Sequence, residues 1–364
     1  MVKQKRLIKY FVIFSFLLIS LLPVYNFAQY AKKYDFSKLF NLDDVEKYVN
    51  YAVYKVFNRS LVEDKVITGK DGFLFLGNTH NDVLHKTNGT FRPSNKEINI
   101  WVDKLKNIQQ WYENKGIKFL VVIAPNKHTI YREKLPNWMK YDGKTITDDI
   151  VEYAGNKNVN LLDLRNLFLE EKKKGLVYLK TDTHWNLKGA SLAYDEIIRY
   201  LNINLSLGIE LPKYSLKEKK RGGGDLANFL KINPILGSEY EKDYEYILSV
   251  DYNVCKGNID KGNGQLTKCE QMKNPIVSIN QQPQYVINHT IKNNKLLFIC
   301  DSFASAPSQL YNATFNTVWK WHFSHINGRK LAKFVDENKP DVVIYQLVER
   351  SLYNDIIVAP LPKN

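Results

Sequence analysis

Lys295-Leu296-Leu297-Phe298-Ile299-Cys300-Asp301-Ser302-Phe303-Ala304-Ser305 is the stretch that decides the fold. An apolar run of strand character ends at Cys300, and a serine follows at the turn, ahead of small residues. A serine at a strand-to-helix turn presents its hydroxyl at the carboxyl end of a sheet, with its own N–H facing a developing oxyanion. Runs of the same kind flank it. Lys118 to Ala124 is nearly continuous apolar sequence, as a strand covered on both faces requires, and Pro125 stops it. Val159 to Leu164 and Val342 to Tyr345 add two more strands. Helical patterns lie between them. Asn95 to Lys115 carries Ile98, Trp101, Leu105, Ile108 and Trp111, with Gly116 at its end, and a shorter helix is expected near Thr147 to Ala154. This alternation predicts an α/β fold, a mainly parallel sheet with helices on both faces.

Working back along the chain, Thr181-Asp182-Thr183-His184-Trp185-Asn186-Leu187-Lys188-Gly189-Ala190 puts a carboxylate two residues before an imidazole at the mouth of a helix. Asn186 is a good N-cap, and Leu187, Ala190, Ala193, Ile197 and Leu201 recur at helical spacing after it. A turn there brings Asp182 onto one ring nitrogen of His184 and leaves the other facing a cleft, the orienting job a carboxylate performs for a general base. By itself the pair also reads as a helix-capping Asp beside a surface His. Joined to Ser302 it completes a set: Ser302 as nucleophile, His184 as base, Asp182 as orienter.

Asp182-Thr183-His184-Trp185, taken with Asp301-Ser302-Phe303, resembles the alginate O-acetyltransferases of the AlgJ/AlgX type, which have an SGNH-hydrolase-like fold. Gly69-Lys70-Asp71-Gly72-Phe73-Leu74-Phe75, Val121-Val122-Ile123-Ala124-Pro125-Asn126-Lys127 and Glu349-Arg350 extend the resemblance over residues 55 to 355. One position departs: the family carries Gly before the Asp-Ser pair, where this chain has Cys300, and a side chain there would narrow the site. The resemblance implies that Ser302 takes an acetyl group as an ester and passes it to a hydroxyl of a cell-surface or exported polysaccharide, with no cofactor. Anchored members of the family work with a membrane-bound O-acyltransferase, which is therefore the expected donor partner. The same triad would serve an esterase that gives the acyl group to water. Transfer onto peptidoglycan or another wall polymer is a close variant. The non-enzymatic alternative is a polysaccharide-binding or assembly protein on the same fold, for which Cys300 is the supporting feature.

The length of 364 residues allows one large domain or a domain plus an insertion, and 44% apolar content is enough for a substantial core. The formal net charge of +14 favours anionic partners: acidic polysaccharide, lipid headgroups or nucleic acid. No nucleic-acid-binding motif is present, which sets the last aside. Part of the excess is solvated lysine, as at Lys172 to Lys174 and Lys217 to Lys220.

The chain starts with a basic flank, then runs apolar from Tyr10 to Ala28, interrupted by Pro23 and Asn26. A basic flank before an apolar run sets an N-in orientation, and about 19 residues suffice to span a bilayer. Asn26-Phe27-Ala28 is a poor cleavage site, so residues 1–34 are expected to be a cytoplasmic flank and uncleaved signal anchor. Residues 35–364 would form the domain outside the cytoplasm, periplasmic or extracellular. Asp35 to Leu61 reads as one amphipathic helix, with Leu39, Leu42, Val45, Val49, Ala52 and Val56 near helical spacing. Gly69 to Gly72 is a turn and Phe73 to Leu76 a short strand.

From about 203 to 292 the texture changes to a polar sequence with short Tyr/Ile/Val stretches and the loop Gly222-Gly223-Gly224-Asp225-Leu226. This is an expected insertion, β-rich, either shaping a substrate groove or covering a sheet edge. Cys255 and Cys269 flank a polar loop and suit a disulfide in an oxidising compartment, though nothing in the sequence fixes the pairing. Cys300 reads as a small buried residue rather than a reactive thiol. Four further residues form the expected substrate-binding set. Lys127, at the carboxyl end of a strand, would neutralise an anionic sugar if it is not a plain surface lysine. Trp185 would stack on a sugar or wall the base, unless it is core. Asp225 would orient the site, unless it caps its loop. Arg329 lies beyond the nucleophile's helix. Glu349 and Arg350 are expected to form a structural ion pair. His80, His85, His128, His289 and His325 lack metal-ligand spacing, so no metal site is expected.

Overall fold

Each of the apolar runs forms a strand. The computed structural model describes residues 2–30, 36–278 and 282–359. Its strands are β1 (Val66–Thr68), β2 (Leu74–Leu76), β3 (Lys118–Ala124), β4 (Leu161–Asp163), β5 (Tyr214–Arg221), β6 (Glu241–Leu248), β7 (Asn253–Asn258), β8 (Glu270–Lys273), β9 (Gln284–Ile287), β10 (Lys295–Cys300), β11 (Thr317–His322) and β12 (Val342–Val348). Eight of them make one sheet in the order β4-β3-β12-β10-β11-β9-β7-β8, while β1-β2 and β5-β6 are separate hairpins. The first five in that order run parallel. The other three, all from the 203–292 segment, continue the sheet antiparallel. The sheet is thus parallel at its centre and extended at one edge by an antiparallel meander.

Alternation along the strands divides the core in two. Leu120 and Val122 of β3 and Leu296, Phe298 and Cys300 of β10 face one side, under Ala190, Ala193, Ile197 and Leu201 of the helix Leu187–Leu205. Phe119, Val121 and Ile123 of β3 and Leu297 and Ile299 of β10 face the other, under the helices Asn95–Glu113 and Gly328–Asn338. Burial on both faces is why these strands are continuously apolar rather than alternating. Helix starts are chemically fixed. Ser94 and Glu97 form a reciprocal capping box, and the Asn186 side chain accepts the Gly189 N–H at 2.8 Å. The parallel strands end together at Pro125, Asp301 and Glu349, the carboxyl edge where open α/β sheets carry their sites.

One expected element is broken. The helix predicted over 35–61 begins outside the described residues, and its described part is a 3-10 turn, Phe36–Lys38, with a helix only over Asp43–Phe57. The Asn41 side chain accepts the Asp43 N–H at 2.6 Å, a local turn that competes with helix upstream. Asn58 closes the helix in the left-handed region at φ 49°. Ahead of it, Val2–Tyr30 is a helix with Pro23 inside, and its 24 residues Arg6–Gln29 are long and apolar enough to cross a bilayer.

Cys255, in β7, is joined to Cys269, with Cα atoms 5.3 Å apart. The bridge closes the β7–β8 hairpin over a sequence separation of 14. Replacing both cysteines by Ser is expected to lower the stability of the folded domain by about 3 kcal/mol in urea unfolding, from the chain entropy restored to the unfolded state. An unchanged midpoint would mean that strand pairing alone holds the hairpin.

Candidate active site

The turn that carries Asp182 and His184 is pinned from three directions. Beneath it, the buried amine of Lys127 donates to the carbonyls of Leu179 at 3.1 Å, Lys180 at 3.0 Å and Asp182 at 2.6 Å. Burial brings its pKa down to about 8, against the pull of Asp182, Asp225 and Glu241. Above it, Glu241 of β6 accepts the N–H groups of Lys180 (2.7 Å) and Thr181 (3.3 Å) and the Thr181 hydroxyl. Beside it, Gly224 lies so close that a Cβ there would fall 2.3 Å from the Asp182 Cβ, so only glycine fits. Lys127 is therefore a strut under the turn, and its expected role as a cation facing a sugar is corrected: all three of its donors are turned to backbone.

On this support Asp182 Oδ1 accepts both the His184 N–H at 3.0 Å and the ring Nδ1–H at 2.7 Å. A carboxylate only accepts, so the ring proton belongs on Nδ1 and the Nε2 lone pair is free. Ser302 Oγ lies 2.7 Å from that Nε2. Ser302 opens the 3-10 turn Ser302–Ser305 after β10. Asp301 fixes that turn: its Oδ1 accepts Phe303 N–H at 3.0 Å and its Oδ2 accepts Val348 N–H at 2.6 Å. Trp185 ties the two halves together. Only 2% exposed, it stacks on Phe168, meets Phe303 edge-on and donates its indole N–H to the Phe303 carbonyl at 3.1 Å. It is a core residue, too buried to stack on a sugar, so that expected role is corrected; the ring against His184 is that of Phe303, 4.9 Å away between centroids.

Asp225 stands behind the base. Its Oδ1 accepts Thr183 N–H at 2.7 Å, its own N–H reaches Asp182 Oδ2 at 3.3 Å, and its Oδ2 is 3.7 Å from His184 Nδ1. It faces the histidine and does not line the cavity, which corrects its place in the expected binding set. The Arg221 guanidinium lies 3.6 Å from both Asp182 Oδ2 and Asp243 Oδ2. Among the described residues Asp182, His184 and Asp225 offer ligand atoms within 4.8 Å of one another; with the ring proton assigned to Nδ1, facing Asp182, the arrangement suits a base backed by two carboxylates. Burial works against charging His184. The hydrogen bond and charge of Asp182 and the charge of Asp225 outweigh it, lifting the imidazole above its ordinary pKa, with Arg350 opposing. Burial likewise works against Asp182, yet its bonds to His184 and the nearby Arg221 hold its carboxyl below the usual range.

The three side chains open on a cavity of about 380 Å³ whose other walls include Trp185, Ser305, Ile276 and Ser278, with Lys219, Arg221 and Asp243 from the β5–β6 hairpin. Several expectations are corrected by these walls and their neighbours. Arg329 is exposed near the start of Gly328–Asn338 and does not line the cavity. Glu349 and Arg350 do not pair. Glu349 accepts from Asn126 N–H at 2.9 Å and from the hydroxyls of Thr129 at 2.6 Å and Thr147 at 3.2 Å, while Arg350 lies 5.7 Å over the Phe303 ring. Cys300 is fully buried in the core beside Phe298, away from the cavity, and does not narrow it. Burial pushes its thiol well up, which removes it as a nucleophile. Sequence reasoning missed Asp301, Glu241 and Arg221. Only Asp301 had a signal, its place between strand end and serine.

The family model described as SGNH hydrolase-like domain, acetyltransferase AlgX matches residues 66–287, a span that includes Asp182 and His184 and stops short of Ser302. A probable alginate O-acetylase AlgJ of Pseudomonas aeruginosa is 24% identical over 177 residues, 47% of this chain and 42% of that protein. The chain spans less than half the length of the curated relatives it matches. Among solved structures, Bacillus cereus PatB1 aligns with a TM-score of 0.59 at 17% identity, over 81% of this chain and 99% of that one. A DHHW family protein from Eubacterium siraeum aligns with a TM-score of 0.57 at 16% identity, over 82% of this chain and all of that one. These two share the fold.

The carboxylate pair makes a prediction about the base. A raised pKa means that the folded protein holds the imidazole proton to higher pH, so the free base appears only above the ordinary value of about 6.5. In NMR titration His184 is expected to titrate above that value. Asp225→Asn should lower it and Asp182→Asn should lower it further. An unchanged His184 titration in Asp225→Asn would remove Asp225 from the base.

Proposed function

The chain belongs to the family described as SGNH hydrolase-like domain, acetyltransferase AlgX, and on that footing we propose that it moves an acetyl group through an ester on Ser302 onto a hydroxyl of an exported or cell-surface polysaccharide. The observation that carries this reading is the unbroken chain of two 2.7 Å contacts, Ser302 to His184 to Asp182, opening on one cavity. Ser302 Oγ attacks the acyl carbonyl carbon while its proton passes to His184 Nε2. The imidazolium so formed faces Asp182 and Asp225 through Nδ1, which is where its charge is balanced. Collapse expels the donor's leaving group with the proton from Nε2 and leaves acetyl-Ser302. A sugar hydroxyl then enters, loses its proton to Nε2 as its oxygen attacks the acetyl carbon, and Ser302 departs carrying that proton. Water in place of the sugar makes the same enzyme an esterase, and peptidoglycan or another wall polymer is an alternative acceptor. Lys219 and Arg221 on the cavity wall favour an acceptor that carries negative charge.

The N-terminal apolar helix supports a signal anchor, with the catalytic domain outside the cytoplasm and a membrane-bound O-acyltransferase supplying acetyl at the membrane. The alternative of a non-catalytic binding or assembly protein rested on Cys300, and that residue lies outside the cavity.

The test is an activated acetyl ester offered to the protein with and without polysaccharide. Ser302→Ala and His184→Ala should each cost roughly a thousandfold or more, and the double variant little beyond either alone, because the members act as one unit. Intact mass should show one added acetyl in wild type and none in Ser302→Ala. Acetyl appearing on the polysaccharide supports transfer. Release to water alone, with polysaccharide present, would make the chain an esterase, and an acetylated Ser302→Ala protein would move the nucleophile elsewhere.

A further inference from the structure

The helix Asp43–Phe57 wears its amphipathicity inside out. Its inward side is polar or aromatic: Tyr54, 5% exposed, packs with Val66, Leu74, Leu76 and Leu226, and the half-buried Lys47 bonds Asp44 at 2.7 Å. Its outward side is an apolar stripe of Val45, Tyr48, Val49, Ala52 and Val56, spaced three, four, seven and eleven residues from the first. Tyr48 is 58% exposed, Val49 45% and Val56 71%, and the approach to the helix adds Phe40 at 68% and Leu42 at 49%. A surface helix facing water carries the opposite arrangement, so this stripe requires a cover.

The depth at which the helix begins identifies the cover. Asn26, 1% exposed, lies in the N-terminal helix three residues before the end of its apolar span at Gln29, about 5 Å at the rise of an α-helix. Its amide donates to the carbonyls of Leu39 at 2.8 Å and Asn41 at 2.9 Å. Those two bonds hold the start of Asp43–Phe57 level with the end of the membrane span, the boundary between headgroups and acyl chains. Lys55 and Arg59 are exposed at the far end, as suits anionic headgroups.

We infer that the helix Asp43–Phe57 lies in the lipid headgroup layer with its apolar stripe against the acyl chains, and so seats the catalytic domain in one orientation over the bilayer. This rests on the proposed signal anchor. The seat reaches the site through few contacts: Tyr54 packs with Leu226, and the helix Asp225–Phe229 carries Asp225 against His184.

The full chain, reconstituted in vesicles containing anionic lipid, decides it. Its own cysteines are bridged or buried, so an added cysteine takes the dye selectively. Val45→Cys, Val49→Cys, Leu17→Cys and, as a solvent reference, Lys333→Cys are labelled with a polarity-sensitive fluorophore and quenched by lipids spin-labelled high or low on the acyl chain. Positions 45 and 49 are expected to lose most of their emission to the shallow quencher, 17 to the deep one, and 333 to neither. Quenching at 17 without quenching at 45 and 49 overturns the inference and leaves the anchor. Cross-linking between Val49→Cys copies in place of quenching overturns it in favour of a second copy. No quenching at 17 overturns the anchor, and with it the inference that rests on it.

Discussion

One imidazole makes two contacts of 2.7 Å, to an aspartate two residues away and to a serine 118 residues away. Much of the architecture around the site serves to keep both. A ring held by a carboxylate so near in sequence needs a turn that cannot relax, and this one is held by a buried amine below, a carboxylate above and a glycine alongside. The serine needs the opposite provision, a strand end that does not drift, and Asp301 supplies it by bonding across to β12. Trp185 then locks one half to the other through the Phe303 carbonyl. Catalytic geometry tolerates errors of well under an ångström, and each of these bonds removes a way for the two halves to slide.

The concentration of charge behind His184 runs against stability. Asp182, Asp225, Glu241, Asp243, Arg221 and Lys127 crowd one region, and buried charges lower stability unless they are paired and hydrogen-bonded. Here every one has a named partner. The arrangement leaves the imidazole facing two carboxylates and only distant cations, so the protonated ring, the species that the proposed activation of Ser302 would form, is the one the surroundings favour. Stability is given up for a charge distribution fixed before reaction.

The local parts of this were legible in the sequence. Asp182 and His184 are two residues apart with an N-cap just after them, and Ser302 follows an apolar strand, so short-range rules placed all three. What failed was whatever depends on distant packing. A lysine after a strand looks like a ligand-facing cation because buried lysines are rare, and nothing local says that three carbonyls await Lys127. Arg221 and Glu241 matter because β5 and β6 pair in one register, which neither strand announces. Cys300 shares a sheet face with Phe298, a parity the sequence contains, but which face is core is decided by helices elsewhere. The stripe on Asp43–Phe57 is the clearest case: periodicity names an apolar face and does not name its partner.

On the acyl-transfer reading, the two half-reactions use the same carbon and the same Nε2, so the donor's leaving group must clear the cavity before the sugar hydroxyl arrives. The acetyl ester then waits on Ser302 in a cavity that is open to solvent, where water competes. The triad cannot discriminate between water and sugar, since it takes a proton from either. Selection must therefore come from residues that hold the acceptor rather than activate it, and the basic side chains on the cavity wall, Lys219 and Arg221, belong to the β5–β6 hairpin. That hairpin also carries Glu241, which fixes the turn of the base. Acceptor binding at Lys219 and Arg221 and the placement of His184 thus share one element, so a polymer that moves the hairpin also moves the base toward or away from the waiting ester. Hydrolysis is suppressed to the extent that the base is well placed only when the polymer is there.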